Sequence, residues 1–215
     1  MNLFLIRHGQ SVHNITPVED LTTLDTGLTE KGTKQVEALR DYYAERTITA
    51  DAFYTSTLRR AKETASILAE VFGEPTEDDR LRELSTLYPD GTIVPADKMP
   101  RTWIAEWLHQ TPFRPRAIQT PPIESWMQFR ARLGVFVDEL CEKHSEADVY
   151  VVAHGGVIGA ICDNIFNIGS FRRANIHNYN SSWTHFRYRP HTKNVEPWSL
   201  EAHNRIDHLI LKDML

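Results

Sequence analysis

The sequence predicts an α/β layered sheet, and three observations carry that expectation. Two short apolar runs rich in branched residues, at 3–6 and 149–153, are too compact for helices and read as buried strands. Segments with helical spacing lie between them. Each run leads to a histidine followed by glycine, so two strand ends carry the same pattern. Strands alternating with helices pack as helical layers on a sheet.

In chain order, the first strand leads into Arg7, His8 and Gly9. Val36, Leu39 and Tyr43 form the first helical stripe, with Thr29 placed to cap its start. Residues 52–56 (AFYTS) read as a second strand, and Ala61, Ala65, Leu68 and Phe72 as a second stripe that Gly73 can close. Residues 85–124 are proline-rich and lack a sustained period, apart from one helix expected over 102–110. They read as an excursion covering the edge of the sheet. Phe129, Leu133, Phe136 and Leu140 form a third stripe, and Ser125 with Gln128 has capping-box spacing before it. A buried helix is expected over 156–168 and a further strand over 182–188 (SWTHFRY). There is no internal repeat and no low-complexity tract, which sets aside solenoids and disordered tails.

At 215 residues, 41% hydrophobic and 25% charged, the chain can build one good core. It reads as one domain over 1–215 with an insertion at about 85–124. A net charge of -5 and a pI near 6.1 supply no global basic field for nucleic acid or an anionic membrane, so any attraction to an anion must be local. Cys141 and Cys162 make no disulfide framework, which fits a reducing compartment. Residues 1–6 are too short to span a bilayer and have no basic stretch before them. A soluble, cytoplasmic protein is the expectation.

Ligands of open α/β sheets bind beyond the carboxyl ends of strands, where Arg7, His8 and Gly9 stand. Arginine offers a rigid fork of donors matched to phosphate oxygens, and glycine lets backbone approach closely. The second strand end, VYVVAHGG, places His154 before two glycines that open a helix, whose positive dipole end can face the same ligand. A third strand end carries STLRRAKETA; Arg60 lies next to the apolar stripe and can point toward the sheet top while Arg59 points outward. Read singly, each of these segments is also compatible with an ordinary turn or a solvated basic pair.

Together, RHGQSVHN, LTEKG, STLRRAKETA, LREL, VVAHGG and NSSWT, in this order over residues 4–187, resemble the phosphoglycerate mutase-like histidine phosphatase superfamily, branch 1. The resemblance implies a three-layer α/β/α sandwich with a mostly parallel central sheet and a cap insertion. It implies that His8 is the nucleophile whose Nε2 attacks phosphorus, which requires a neutral imidazole. Arg7, Arg60 and His154 match the positions that clamp the phosphoryl oxygens, and Gln10, Ser11 and Asn14 would line the same pocket. Asn180 matches a family asparagine near the phosphate, and Glu83 the general acid that protonates the leaving oxygen and later activates water. His13 is read as an ordinary loop residue, and His203 and His208 as structural.

The mutase pattern continues after its glutamate with arginine, tyrosine and glycine, whereas Glu83 is followed by Leu84, Ser85, Thr86 and Leu87. Phosphatase activity on a small phosphorylated metabolite is therefore expected, with no metal and no cofactor, and a homodimer is compatible with the sequence. A phosphoglycerate mutase and a non-catalytic phospho-ligand binding protein are the two competing readings. Tyr88, Arg101, Trp103, Trp107, Phe113, Arg114 and Arg116 populate the insertion, where aromatics with arginines could grip a ring or a second anion. Trp103 and Trp107, spaced as a helix face, fit packing of the cap onto the body better.

Overall fold

The computed structural model describes residues 1–17, 20, 25–84, 86–95, 98, 124–169, 174–190 and 196–214. Strand β1 (Asn2–Arg7) leads through the helical turn α1 (Val12–Ile15) to α2 (Glu30–Glu45). Then follow β2 (Ala52–Ser56), α3 (Arg59–Phe72), β3 (Thr76–Asp78) and a 3-10 turn (Asp79–Leu81). After the insertion come α4 (Trp126–Lys143), β4 (Asp148–Ala153), α5 (Gly155–Ile165), β5 (Trp183–Tyr188), β6 (Trp198–Arg205) and α6 (Asp207–Ile210).

The six strands form one sheet in the order β3-β2-β4-β1-β5-β6. β3, β2, β4 and β1 run parallel, while β5 and β6 are antiparallel additions at one edge. The sheet is buried on both faces. On one face Leu3, Leu5, Val149, Val151 and Phe186 pack with Phe129, Leu133 and Phe136 of α4 and Val157, Ile158 and Ile161 of α5. On the other, Ile6, Phe53, Tyr150 and Val152 pack with Val36 and Leu39 of α2 and Ala61, Ala65 and Leu68 of α3. This is the three-layer α/β/α sandwich with a mostly parallel sheet.

The helix boundaries follow their caps. Thr29 Oγ1 accepts from the Gly32 N–H, and Ser125 with Gln128 closes a capping box at α4. Gly73 ends α3 at φ +80°, where a side chain would be strained. Two strands were not foreseen. β3 (TED) is three polar residues at the sheet edge, and no residue of β6 is fully buried, so neither shows an apolar run or clean alternation. The helix expected over 156–168 begins one residue earlier and stops at Ile165, because Phe166 takes up the cap. In the insertion, Leu87 and Ile93 pair as an isolated antiparallel bridge. The helix expected over 102–110, with Arg101, Trp103, Trp107, Phe113, Arg114 and Arg116, lies outside the described residues.

Candidate active site

The parallel register sets Arg7 of β1 beside Ala153 of β4, so both strands end level and deliver His8 and His154 to one place. Their ring centroids lie 5.2 Å apart. β2 ends beside them, and the first turn of α3 carries Arg60 inward while Arg59 stays exposed in an i,i+4 pair with Glu63. His8, Arg60 and His154 are 3%, 4% and 0% exposed, so they face one another without bulk water between them.

The histidine tautomer at position 8 is fixed from both sides. His8 Nδ1 lies 2.7 Å from the Gly9 carbonyl oxygen, which can only accept, so Nδ1 carries the proton. Arg60 Nε donates to His8 Nε2 at 3.2 Å, so Nε2 presents its lone pair. Burial, then the charges of Arg60 and Arg7, hold the imidazole well below its ordinary pKa. His8 is thus neutral, with its Nε2 lone pair oriented toward Arg60.

His154, the N-cap residue of α5, is likewise held well below its ordinary pKa by burial and then by the charges of Arg60 and Arg7. Its Nε2 pairs with Ser56 Oγ at 2.8 Å, and that hydroxyl also accepts from the Leu58 N–H at 3.3 Å. His154 Nδ1 and Arg7 Nε are buried and meet no hydrogen-bond partner among the described residues. Both nitrogens lie at the strand ends where His8 and Arg60 meet. Burial also lowers Arg60 to about 10 and lowers Arg7, with Glu83 the carboxylate that most supports both charges. The site is locally cationic although the chain is acidic overall.

Glu83 stands at the start of α5: its Oε2 accepts from the Gly156 N–H at 3.0 Å and its Oε1 from the Leu84 N–H at 2.9 Å. The arginines near it in sequence turn to other partners. Arg80 is taken by Asp78 and Glu139, and Arg82 Nη1 by Thr57.

The remaining expected residues brace the loop after β1. Asn14 Oδ1 accepts from the Ser11 N–H, the Ser11 hydroxyl and Asn180 Nδ2 at 2.9, 3.0 and 3.1 Å. Asn180 Nδ2 also donates to the His8 carbonyl at 3.1 Å, and so does the Ser181 N–H, from a left-handed Ser181 at φ +55°. Gln10 is tied to α2: its N–H donates to Gln35 Oε1 at 3.0 Å and its Oε1 accepts from Thr29 Oγ1 at 2.9 Å. Asn14 and Asn180 therefore meet across the His8 carbonyl, while Gln10 and Ser11 turn to scaffold partners.

Three residues escaped the sequence reading. His13, read as an ordinary loop residue, sits on α1 close enough to Arg60 and Arg7 that burial and those two charges bring it to about 4. Ser56 was visible only as the last residue of a strand. Arg82, buried beside Glu83, adds to the positive field at His154. Of the two histidines read as structural, His208 Nε2 pairs with Ser181 Oγ at 2.9 Å and His203 Nδ1 with Thr184 Oγ1 at 3.1 Å. No group of three His, Cys, Asp or Glu among the described residues is placed to hold a metal ion.

A neutral, oriented imidazole ringed by guanidinium groups beyond the ends of a parallel sheet defines a phosphoryl-transfer enzyme. Residues 3–201 match the family model of the histidine phosphatase superfamily, branch 1. The chain belongs to this superfamily and is a phosphatase of it. A Hydrogenobacter thermophilus protein provisionally named phosphoserine phosphatase 2 is 30% identical over 187 residues, covering 85% of this chain and 87% of that protein. A 2,3-bisphosphoglycerate-dependent phosphoglycerate mutase of Bartonella bacilliformis is 31% identical over 167 residues, covering 74% of this chain and 78% of that protein. Among solved structures, the mycobacterial glucosyl-3-phosphoglycerate phosphatase complexed with VO3 superposes with a TM-score of 0.67 at 26% identity, over 94% of this chain and 98% of that one.

Proposed function

We propose that the chain is one domain that hydrolyses phosphomonoesters of small metabolites, with His8 as nucleophile and no metal. The hydrogen bond from Arg60 Nε to His8 Nε2, opposite Nδ1 held by the Gly9 carbonyl, is the observation that carries this reading. On binding, a phosphoryl oxygen takes over the Arg60 donor, and Arg7 Nε and His154 Nδ1 supply two more. The His8 Nε2 lone pair then forms the N–P bond as the P–O bond to the leaving group breaks, and the Glu83 carboxyl gives its proton to the departing oxygen. In the second step the Glu83 carboxylate takes a proton from water as that water's oxygen attacks phosphorus. The N–P bond breaks, orthophosphate leaves and Nε2 regains its lone pair.

Asn180 holds the His8 carbonyl and is itself held by Asn14, so that Nε2 stays aimed, and Gln10 and Ser11 pin the loop that carries it. Relatives named for phosphoserine and glucosyl-3-phosphoglycerate favour a phosphate ester with a nearby carboxylate, so O-phosphoserine and 3-phosphoglycerate head the substrate panel. The relative named as a mutase supports a second reading, in which phosphate returns to a glycerate instead of water. We place the protein in the cytoplasm, in keeping with a sequence whose two cysteines make no disulfide framework; among the described residues no helix is long and apolar enough to cross a membrane. A homodimer is tested by light scattering of the purified chain.

The test is orthophosphate release from that panel in the presence of chelator, for wild type and His8→Ala. Release in chelator that falls by at least ~10³-fold in the variant is expected. Release that depends on added metal or survives His8→Ala contradicts the proposal, and phosphate retained on a glycerate product supports the mutase reading.

A further inference from the structure

The two glycines after His154 are not equivalent. A Cβ built on Gly155 would meet nothing closer than Arg7 Nε at 3.7 Å, an ordinary contact. A Cβ on Gly156 would lie 2.1 Å from Glu83 Oε1, 2.9 Å from its Cδ and 3.1 Å from Oε2. The backbone at Gly156 is helical, so no left-handed conformation demands glycine there. Glycine inside a helix costs about 1 kcal/mol relative to alanine, so helix propensity argues against it as well. The space that Gly156 leaves empty is the space that Glu83 occupies, and the Gly156 N–H donates to Glu83 Oε2.

We propose that Gly156 is a positioning residue for Glu83: its missing side chain admits the carboxyl onto the first turn of α5, and its N–H fixes the carboxyl's orientation beside His154. This rests on the reading of Glu83 as the proton donor to the leaving group. The Leu84 N–H holds the other carboxyl oxygen, so two backbone amides set the group's plane. Alanine at 156 forces the Glu83 carboxylate aside, and the acid is displaced from the departing oxygen even though the phosphoryl pocket stays whole.

A displaced acid and a damaged fold differ in how they respond to the leaving group. An alkyl phosphate needs a proton on its departing oxygen, whereas p-nitrophenolate leaves without one. We would measure kcat/KM for an alkyl phosphate substrate and for p-nitrophenyl phosphate, with inhibition by vanadate, in wild type, Glu83→Gln, Gly156→Ala and Gly155→Ala. Gly156→Ala and Glu83→Gln are expected to lose about 10²-fold or more on the alkyl ester, far less on p-nitrophenyl phosphate, and little vanadate affinity. Gly155→Ala, whose Cβ would sit 3.7 Å from Arg7 Nε, is expected to act on both esters alike, without the leaving-group selectivity of a displaced acid.

Equal losses on both esters in Gly156→Ala, or none, beside a selective loss in Glu83→Gln would overturn the role of Gly156 and leave that of Glu83 intact. An unselective Glu83→Gln would instead remove the reading on which the proposal rests. Should Gly156→Ala fold poorly, urea denaturation decides through the cycle with Glu83→Ala. The clash predicts that Gly156→Ala destabilises the wild type and not the Glu83→Ala protein, and equal destabilisation of both would refute it.

Discussion

At the scale of single residues, the site is organised by hydrogen bonds that decide which nitrogen of each imidazole is available. His8 donates through Nδ1 and receives Arg60 at Nε2, so its reactive lone pair is set before substrate arrives. Its pKa is held well below the ordinary value, and it stays neutral as the pH falls from 7 through the range where an exposed histidine would protonate. In a histidine NMR titration the His8 ring signals are therefore expected to stay unchanged between about pH 7.5 and 5.5, and a midpoint near 6.5 would contradict the geometry. Ser56 performs a comparable service for His154 by occupying Nε2 and leaving Nδ1 for the ligand. Ser56→Ala is expected to lower kcat by about 10- to 100-fold, and unchanged kcat would show that His154 needs no such partner. The histidines and Arg60 were legible from sequence because strand-end position and motif coincide. Ser56 was not, because nothing in a strand's periodicity says that its last hydroxyl will meet a histidine delivered from almost a hundred residues away.

At the scale of elements, the fit between the loop after β1 and the start of α2 explains the LTEKG segment. A Cβ on Gly32 would come within 1.9 Å of the Gln10 carbonyl oxygen, and one on Gly9 within 2.6 Å of the Gly32 carbonyl oxygen. These two glycines let a helix N-terminus lie directly against the loop that carries His8, and Thr29 closes the joint by capping α2 and donating to Gln10. Gly32→Ala is expected to destabilise the protein by about 1–3 kcal/mol in urea denaturation, although alanine is the better helix former. A neutral or stabilising effect would show that the joint is loose. The apolar strands and the capped amphipathic helices could be read from the sequence, since burial on both sheet faces and 3.6-residue stripes leave strong periodic signals. β3 and β6 leave almost none, being short, polar or half-exposed edge strands whose existence depends on their neighbours.

At the scale of the whole molecule, the sandwich holds several buried histidines in the neutral form. His8 and His154 lie well below their ordinary value, and burial brings His13 and His208 to about 4. Above about pH 6.5 these groups are neutral folded and unfolded, and they leave stability unchanged. Below it the unfolded chain binds protons that the folded chain refuses, so stability falls toward about pH 4 by about 1.4 kcal/mol per pH unit for each such group. Urea denaturation between pH 7.5 and 4.5 is expected to show that decline, and a flat profile would mean that the folded state takes up these protons. The proposed chemistry rests on two successive displacements at phosphorus, the first by His8 and the second by water. The most direct test is hydrolysis of a phosphorothioate monoester chiral at phosphorus, run in isotopically labelled water, with the configuration of the released thiophosphate read by NMR. Two in-line displacements give net retention, which is the expected result; inversion would mean that water attacks the ester directly and that His8 never carries the phosphoryl group.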